Sequence, residues 1–193
     1  SRSLVLLDGV PLNDPFGGGV AWGKIPALTL DRVEVVSGGG SAAWGAGVLG
    51  GVAQFLSSPP EAGRGAARVA AGSYGLLAAE AAQDFAAGEG AVRFEARALD
   101  YDGWIPAAPA QRGTADRPAG QRHRLAALTW RTPLGKNAGL RLTARRYDED
   151  RANGTAGTDN RTREHALSLR LDGSAGAGGS WHASAFVQSQ EFS

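Results

Sequence analysis

The feature that most constrains this chain is a two-residue alternation of apolar and polar side chains that begins near residue 64 and continues almost to the end. Leu140, Leu142 and Ala144 alternate with Arg141, Thr143 and Arg145. Leu167, Leu169 and Leu171 alternate with Ser168, Arg170 and Asp172, and Val92, Phe94, Ala96 and Ala98 with Arg93, Glu95 and Arg97. A period of two puts alternate side chains on opposite faces of a strand, and a helix cannot satisfy it. Strands are expected at about Arg64–Ser73, Leu76–Phe85, Ala91–Asp100, Arg122–Thr132, Ala138–Asp148, Arg163–Asp172 and Ser180–Phe192. Each is close to the roughly 9–11 residues that a tilted strand needs to cross a bilayer.

The connections between these strands carry a second signal. They are short at Ala86–Gly90 and Pro133–Asn137, long at Tyr101–Gln121 and Glu149–Thr162, and fairly short at Gly173–Gly179. Short turns at one end and long loops at the other are the habit of transmembrane barrels. A soluble antiparallel sheet with Arg and Glu facing water would show the same texture, so alternation alone leaves both readings open.

Composition excludes several classes. With no Cys there is no disulfide framework, thiolate metal site or Cys nucleophile. A formal net charge of +1 offers no basic surface for nucleic acid. No apolar run approaches the roughly 18 residues of a spanning helix, which leaves spanning strands open. The absence of an initiator Met and of a signal peptide suggests an internal or processed piece. The 29 glycines sit at turns between periodic segments rather than in a low-complexity tract.

The first 57 residues have a different texture. Leu4–Leu7 is a short apolar run, as in a strand buried on both faces, and Asp8-Gly9 stops it with a turn that tolerates positive φ. Asn13-Asp14-Pro15-Phe16-Gly17-Gly18-Gly19 is a loop. In Asp31–Val36, Val33 and Val35 share one face and Arg32 and Glu34 the other, which predicts a half-buried strand with a solvated ion pair. Ser41 is a candidate N-cap for a short turn through Trp44. Gly45-Ala46-Gly47-Val48-Leu49-Gly50 matches G-x-G-x-x-G, but a strand rather than a helix follows, so a dinucleotide site is not expected. Ser58–Gly63 reads as a linker.

Three stretches in this order resemble the C-terminal half of the plug domain of TonB-dependent outer-membrane receptors: Val5-Leu6-Leu7-Asp8-Gly9, Leu30-Asp31-Arg32-Val33-Glu34-Val35, and Ser41-Ala42-Ala43-Trp44-Gly45 through Gly50-Gly51-Val52. Ser37, Gly39 and Trp44 depart from residues common in that family. The resemblance implies a mainly β fold. A partial plug at 1–57, a small mixed sheet with short helical turns, is followed by a linker at 58–63. An open antiparallel segment of a transmembrane β-barrel, about seven strands, occupies 64–193. It further implies energy-coupled uptake across the bacterial outer membrane of a scarce ligand, such as a metal chelate, cobalamin or a carbohydrate. The implied partners are outer-membrane lipid, the small-molecule ligand, and a TonB-type energy-coupling protein acting through a plug segment absent from this chain. A soluble glycine-rich binding or adhesion module and a passive porin are the rival classes, and a porin would have no plug.

Position by position, the resemblance makes Arg32 and Glu34 candidates for plug–barrel contact. Asn13, Asp14, Phe16 and Trp22 are candidate ligand contacts, because they follow the plug turn that in the family reaches toward the outer vestibule. In the first long loop, Trp104 and Arg112, with Asp102 and Gln111, supply the polar and aromatic groups that suit capture of a chelate or sugar-like ligand. No catalytic group, cofactor or metal site is assigned. His123, His165 and His182 lie on separate expected strands. Asp148-Glu149-Asp150 with Asp159 reads as a solvated acidic loop, although it could hold a hard cation. Asn153-Gly154-Thr155 and Asn160-Arg161-Thr162 match glycosylation sequons, which a bacterial outer-membrane location makes irrelevant. Residues 1–193 alone are expected to be neither a closed barrel nor a stable soluble monomer, because an exposed leucine stripe and two open sheet edges favour association.

Overall fold

The computed structural model describes residues 3–15, 17–38, 50–175 and 178–193. The chain divides into two compact units between Pro59 and Pro60. Phe16, the expected Ser41–Trp44 turn and the glycine motif up to residue 49 lie outside the described residues.

The first unit is a four-stranded mixed sheet. Its strands are β1 (Ser3–Leu7), β2 (Val10–Pro11), β3 (Leu30–Ser37) and β4 (Gly51–Ser57), in the order β2-β1-β4-β3. β1 runs parallel to β4 and antiparallel to β2. The Asp8-Gly9 turn joins β1 to β2 with both residues at positive φ, 50° and 86°, the requirement of a two-residue type I′ hairpin. As the Leu4–Leu7 run predicts, β1 is buried on both faces. Val5 and Leu7 join Leu12 and Ile25 in one cluster, and Leu6 packs with Val52 in another.

β3 departs from the expectation of a half-buried strand. All its residues after Leu30 are exposed, Val33 and Val35 included. The reason is position: β3 is an edge strand paired only with β4, and none of the described residues covers either of its faces.

The second unit is a seven-stranded antiparallel sheet. It comprises β5 (Gly65–Ala71), β6 (Leu77–Ala87), β7 (Gly90–Tyr101), β8 (Gln121–Leu134), β9 (Ala138–Ala152), β10 (Asp159–Ala175) and β11 (Gly179–Phe192). Every strand pairs with its neighbours in sequence, so the order is linear, and β5 and β11 are open edges among the described residues. All seven expected strands are present, but β9 and β10 run past their expected ends. The expected long loop Glu149–Thr162 shrinks to residues 153–158. Read by hydropathy, Asp148–Arg151 is a charged loop; in the sheet, opposite charges fall into cross-strand register. Arg161 sits directly opposite Asp150 and Arg163 opposite Asp148, with ion pairs of 3.4 and 3.9 Å. The expected acidic loop is therefore a strand ladder balanced by arginine.

The pairing register sorts the side chains of this sheet into two faces. One carries Phe94, Leu128, Ala144, Leu167 and Val187 in one cross-strand row and Trp130, Leu142 and Leu169 in the next. The other carries Arg141 opposite Arg170, and Arg145 opposite Ala166. Leu140, Leu142, Leu167, Leu169 and Leu171 thus share one face, and Arg141, Arg145 and Arg170 the other, as the alternation predicts. Burial is inverted relative to a water-soluble sheet. Phe94 and Val187 on the apolar face are 55% and 62% exposed, whereas Asp84 and Glu164 on the polar face are each 1% exposed.

Candidate functional site

Two groups of predicted residues sit in the first unit. Asn13 is committed to the backbone: its Oδ1 accepts the Val5 N–H at 2.8 Å, and its Nδ2 donates to the Ser3 and Gly18 carbonyls at 3.1 and 3.3 Å. It extends the pairing of β1 beyond β2. The Asp14 backbone closes the neighbouring glycine turn, with its N–H on Gly19 O and its carbonyl accepting from Gly18. Trp22 opens a 3-10 turn and is exposed, with its ring edge-on to Phe55 at 6.3 Å. Across the sheet, the Asp8 carboxylate accepts both the Ser57 N–H and its hydroxyl, at 2.9 and 2.6 Å, so the turn before β2 fastens the end of β4. On β3, the Arg32 Nε donates to Glu34 at 2.8 Å and a second nitrogen reaches Asp31 at 3.0 Å. Its hydrogen bonds to the Glu34 and Asp31 carboxylates hold the exposed guanidinium's pKa above its ordinary value.

The remaining predicted residues sit at the long-loop end of the second unit. Trp104 gathers two aromatic partners that sequence reasoning missed: Tyr74 at 5.9 Å and Tyr101 at 6.2 Å between ring centroids. Tyr74 belongs to the turn between β5 and β6 and has φ of +57°, so its contact with a loop some thirty residues later has no periodic signal. The Asp102 N–H donates to the Tyr74 carbonyl, tying that turn to the start of the loop. Gly103, at φ +76°, leaves no room for a side chain, because a Cβ there would meet the Ala119 backbone at 2.0 Å.

The loop is braced along its backbone. Trp104 O accepts from Ala119, Gly154 O from Arg117, and Gly120 O from Ala152. A bridge pairs Asp116 with Thr155 of the β9–β10 connection. Gln111 closes a short 3-10 turn, and the exposed Arg112 donates from Nε to Ala107 O at 3.1 Å. Between this loop and the ends of β8, β9 and β10 lies a cavity of about 600 Å³, lined by Tyr101, Asp102, Arg122, Asp150 and Arg161 among others. Tyr74, Trp104 and Tyr101 thus form a partly exposed aromatic platform, with mixed charges nearby. That arrangement can stack a planar or ring-shaped ligand and hydrogen-bond its rim.

Deeper on the polar face, Arg93 of β7 faces Asp84 of β6 through two nitrogens, each 2.7 Å from a carboxylate oxygen, and both residues are buried. Asp84 also accepts the Glu61 N–H at 2.8 Å, and its own N–H donates to Arg64 O. The pair therefore holds residues 61–64 against the sheet. Among the described residues there is no cluster of three or more His, Asp or Glu able to hold a metal ion, and no helix is long and apolar enough to cross a membrane.

Comparison with known proteins gives a sequence match in the first unit and a fold match across the chain. Residues 1–52 match the family model of the TonB-dependent receptor plug domain. A vitamin B12 transporter, BtuB, of Vibrio vulnificus strain YJ016 is 40% identical over 58 residues, which is 30% of this chain and 10% of that protein. Among solved structures, the copper transporter OprC superposes with a TM-score of 0.75 at 20% identity, over 97% of this chain and 29% of its own. The siderophore receptor PirA from Pseudomonas aeruginosa gives 0.73 at 18% identity, over 99% and 33%. The chain thus spans about a tenth of the curated relative and about a third of the solved receptors. Residues 1–52 thus carry TonB-dependent receptor plug-domain sequence, and nearly the whole chain shares its fold with part of the solved copper transporter and siderophore receptor.

Proposed function

We propose that this chain is the plug-to-wall portion of an outer-membrane importer that takes up a scarce ligand, such as a metal chelate, cobalamin or a carbohydrate, at the expense of energy delivered from the inner membrane. The observation that carries the reading is the inverted sheet. The seven strands expose Phe94, Leu128, Trp130, Leu167, Leu169 and Val187 while burying Asp84, Arg93, Glu149 and Glu164. Such a face is stable against hydrocarbon and unstable against water. A sequence that joins a plug to such a wall points to gated passage rather than an open pore.

In this reading the ligand arrives at the long-loop end, where Trp104 with Tyr74 and Tyr101, and Arg112 farther along the same loop, make first contact. Asn13 and Asp14 shape the plug loop, and Trp22 offers it an exposed ring. Arg32 and Glu34, paired on an uncovered edge strand, are the groups with which the plug meets the wall. A TonB-type coupling protein supplies the work, since ligand binding supplies only differential affinity between plug states.

The test is a full-length gene carrying this sequence, expressed in a bacterium deleted for its own receptors. The protein is expected in the outer-membrane fraction, and uptake of the cognate ligand is expected to require both it and the coupling protein. Recovery as a monodisperse soluble protein without detergent would overturn the reading and favour a soluble β-module.

A further inference from the structure

The polar face of the seven-stranded sheet mixes both signs of charge along much of its length. Asp84 faces Arg93, Glu80 faces Arg97, and His123 faces Glu149 across neighbouring strands. One row near the short turns breaks the pattern. Arg131 of β8 stands directly opposite Arg141 of β9, and Arg141 directly opposite Arg170 of β10. Their neighbours in the row are Ala91 on β7 and Ser184 on β11, so no carboxylate flanks the arginines there. Directly opposed side chains have Cβ atoms about 4.5–5.5 Å apart, and like charges at that spacing repel. Three arginines in one row therefore cost the sheet stability unless an anion lies among them.

Arg170 is engaged by Asp172, two residues on, at 2.8 Å. The Arg131 guanidinium makes no ion pair or hydrogen bond among the described residues, and neither does the ammonium of Lys136 in the β8–β9 turn. Beside them the face opens into a pocket of about 460 Å³, lined by Arg131, Lys136, Gly139, Arg141 and Asp172 among others. Gly139 makes the room. It stands opposite Asp172 on one side and Pro133 on the other, and a Cβ there would meet nothing closer than Thr132 O at 3.8 Å. One row toward the long loops, Thr129, Thr143 and Ser168 stand in register, with the two threonine hydroxyls 3.3 Å apart. Hydroxyls, guanidiniums and an ammonium thus succeed one another toward the short turns, and all of them donate hydrogen bonds to oxyanions.

We propose that this pocket is an oxyanion-binding station on the passage. It holds a carboxylate or phosphate group of a small-molecule ligand between Arg131 and Arg141, with Lys136 as a third cation, so the ligand carried is an anion. The inference rests on the membrane-wall reading above, in which the polar face lines the passage and the short turns mark the end by which the ligand leaves. Two planar guanidinium forks in register can share the oxygens of one oxyanion, whereas a neutral sugar would leave both charges unanswered. A volume of about 460 Å³ is that of a small-molecule site and exceeds what one side-chain carboxylate needs. Cations gathered at one end of a lined passage also raise the local concentration of an anion there.

The test uses the full-length polypeptide, extracted in mild detergent and dialysed free of bound anions. Binding of citrate, inorganic pyrophosphate and the neutral sugar sucrose is measured by isothermal titration calorimetry, and folding of each variant is checked by heat-modified gel migration. At least one of the two anions is expected to bind tenfold or more tightly than sucrose; stronger citrate marks a carboxylate ligand and stronger pyrophosphate a phosphate one. Arg131→Gln is expected to weaken that anion tenfold or more. Gly139→Leu fills the pocket without changing its charge and should do the same. Arg124→Gln removes an arginine from the opposite face and should change nothing. Equal anion binding by the parent, Arg131→Gln and Gly139→Leu overturns the proposal, and so does an equal loss in Arg124→Gln, which would mark general charge attraction. A correctly inserted parent that binds neither anion overturns it too, because the row is then held by a carboxylate of the polypeptide itself. Absence of the protein from the outer membrane overturns the wall reading itself, whereas correct insertion without anion binding overturns only this site.

Discussion

Replacing Asp84 with Ala should be among the most damaging single changes on the polar face. The carboxylate is 1% exposed and its partner guanidinium 6%, with both contacts at 2.7 Å. Breaking a buried ion pair from one side costs about 3–5 kcal/mol, because the remaining charge is left in a poor solvent. Arg93 has further interactions, which places the expected loss near the lower end, at about 3 kcal/mol. Loss of the Glu61 N–H acceptor adds about 1 kcal/mol. Arg93→Met should cost a similar amount, while Asp84→Leu with Arg93→Met should cost about 2–3 kcal/mol less than the sum of the singles. The assay is urea unfolding of the full-length polypeptide in lipid vesicles, followed by tryptophan fluorescence. A second readout is local: Asp84 also holds residues 61–64, so tryptic cleavage after Arg64 should accelerate in Asp84→Ala before global unfolding. A double-mutant coupling below about 0.5 kcal/mol, with unchanged cleavage at Arg64, would refute the view that this pair organises the start of the sheet.

Three other expectations follow from the same geometry. Leu142→Arg or Leu169→Arg should cost about 2–4 kcal/mol in vesicles, and Thr143→Arg far less, measured by the same urea titration; equal costs would mean the faces are misassigned. Asp8→Ala should weaken the first unit by about 1–3 kcal/mol by leaving the Ser57 N–H without its acceptor, visible as faster amide exchange in β4. Alanine at both Arg32 and Glu34 should raise leakage of small solutes through the complete receptor, measured by antibiotic sensitivity, and unchanged permeability would reduce them to plain surface charges.

Much of this fold could be read before any coordinates. Leu140 to Ala144 and Leu167 to Leu171 alternate cleanly, and strand pairing preserves that alternation whatever the partners are. Asp8-Gly9 sets its own turn because only local φ matters there. The parts that escaped are those where the deciding partner lies far along the chain. The extension of β9 and β10 depends on Arg161 and Arg163 falling opposite Asp150 and Asp148, and hydropathy scores all of these residues as loop. Exposure of Val33 and Val35 reflects the edge position of β3, which its own residues do not encode. Trp104 was visible as a loop aromatic, but Tyr74 joins it through a left-handed turn that no pattern announces.

The parallel pairing of β1 with β4 has a mechanical consequence. The two strands are in register from Ser3 opposite Gly51 to Leu7 opposite Phe55. Tension applied at Ser3 and at Ser57 pulls parallel neighbours in opposite directions along their length. The bonds between them are then loaded together, in shear, and yield only as a set. β3 can instead be peeled from β4 one bond at a time when it is drawn outward from its end. The same small sheet is therefore stiff along one axis and compliant along another, and the direction of a force, more than its size, decides which strand leaves first.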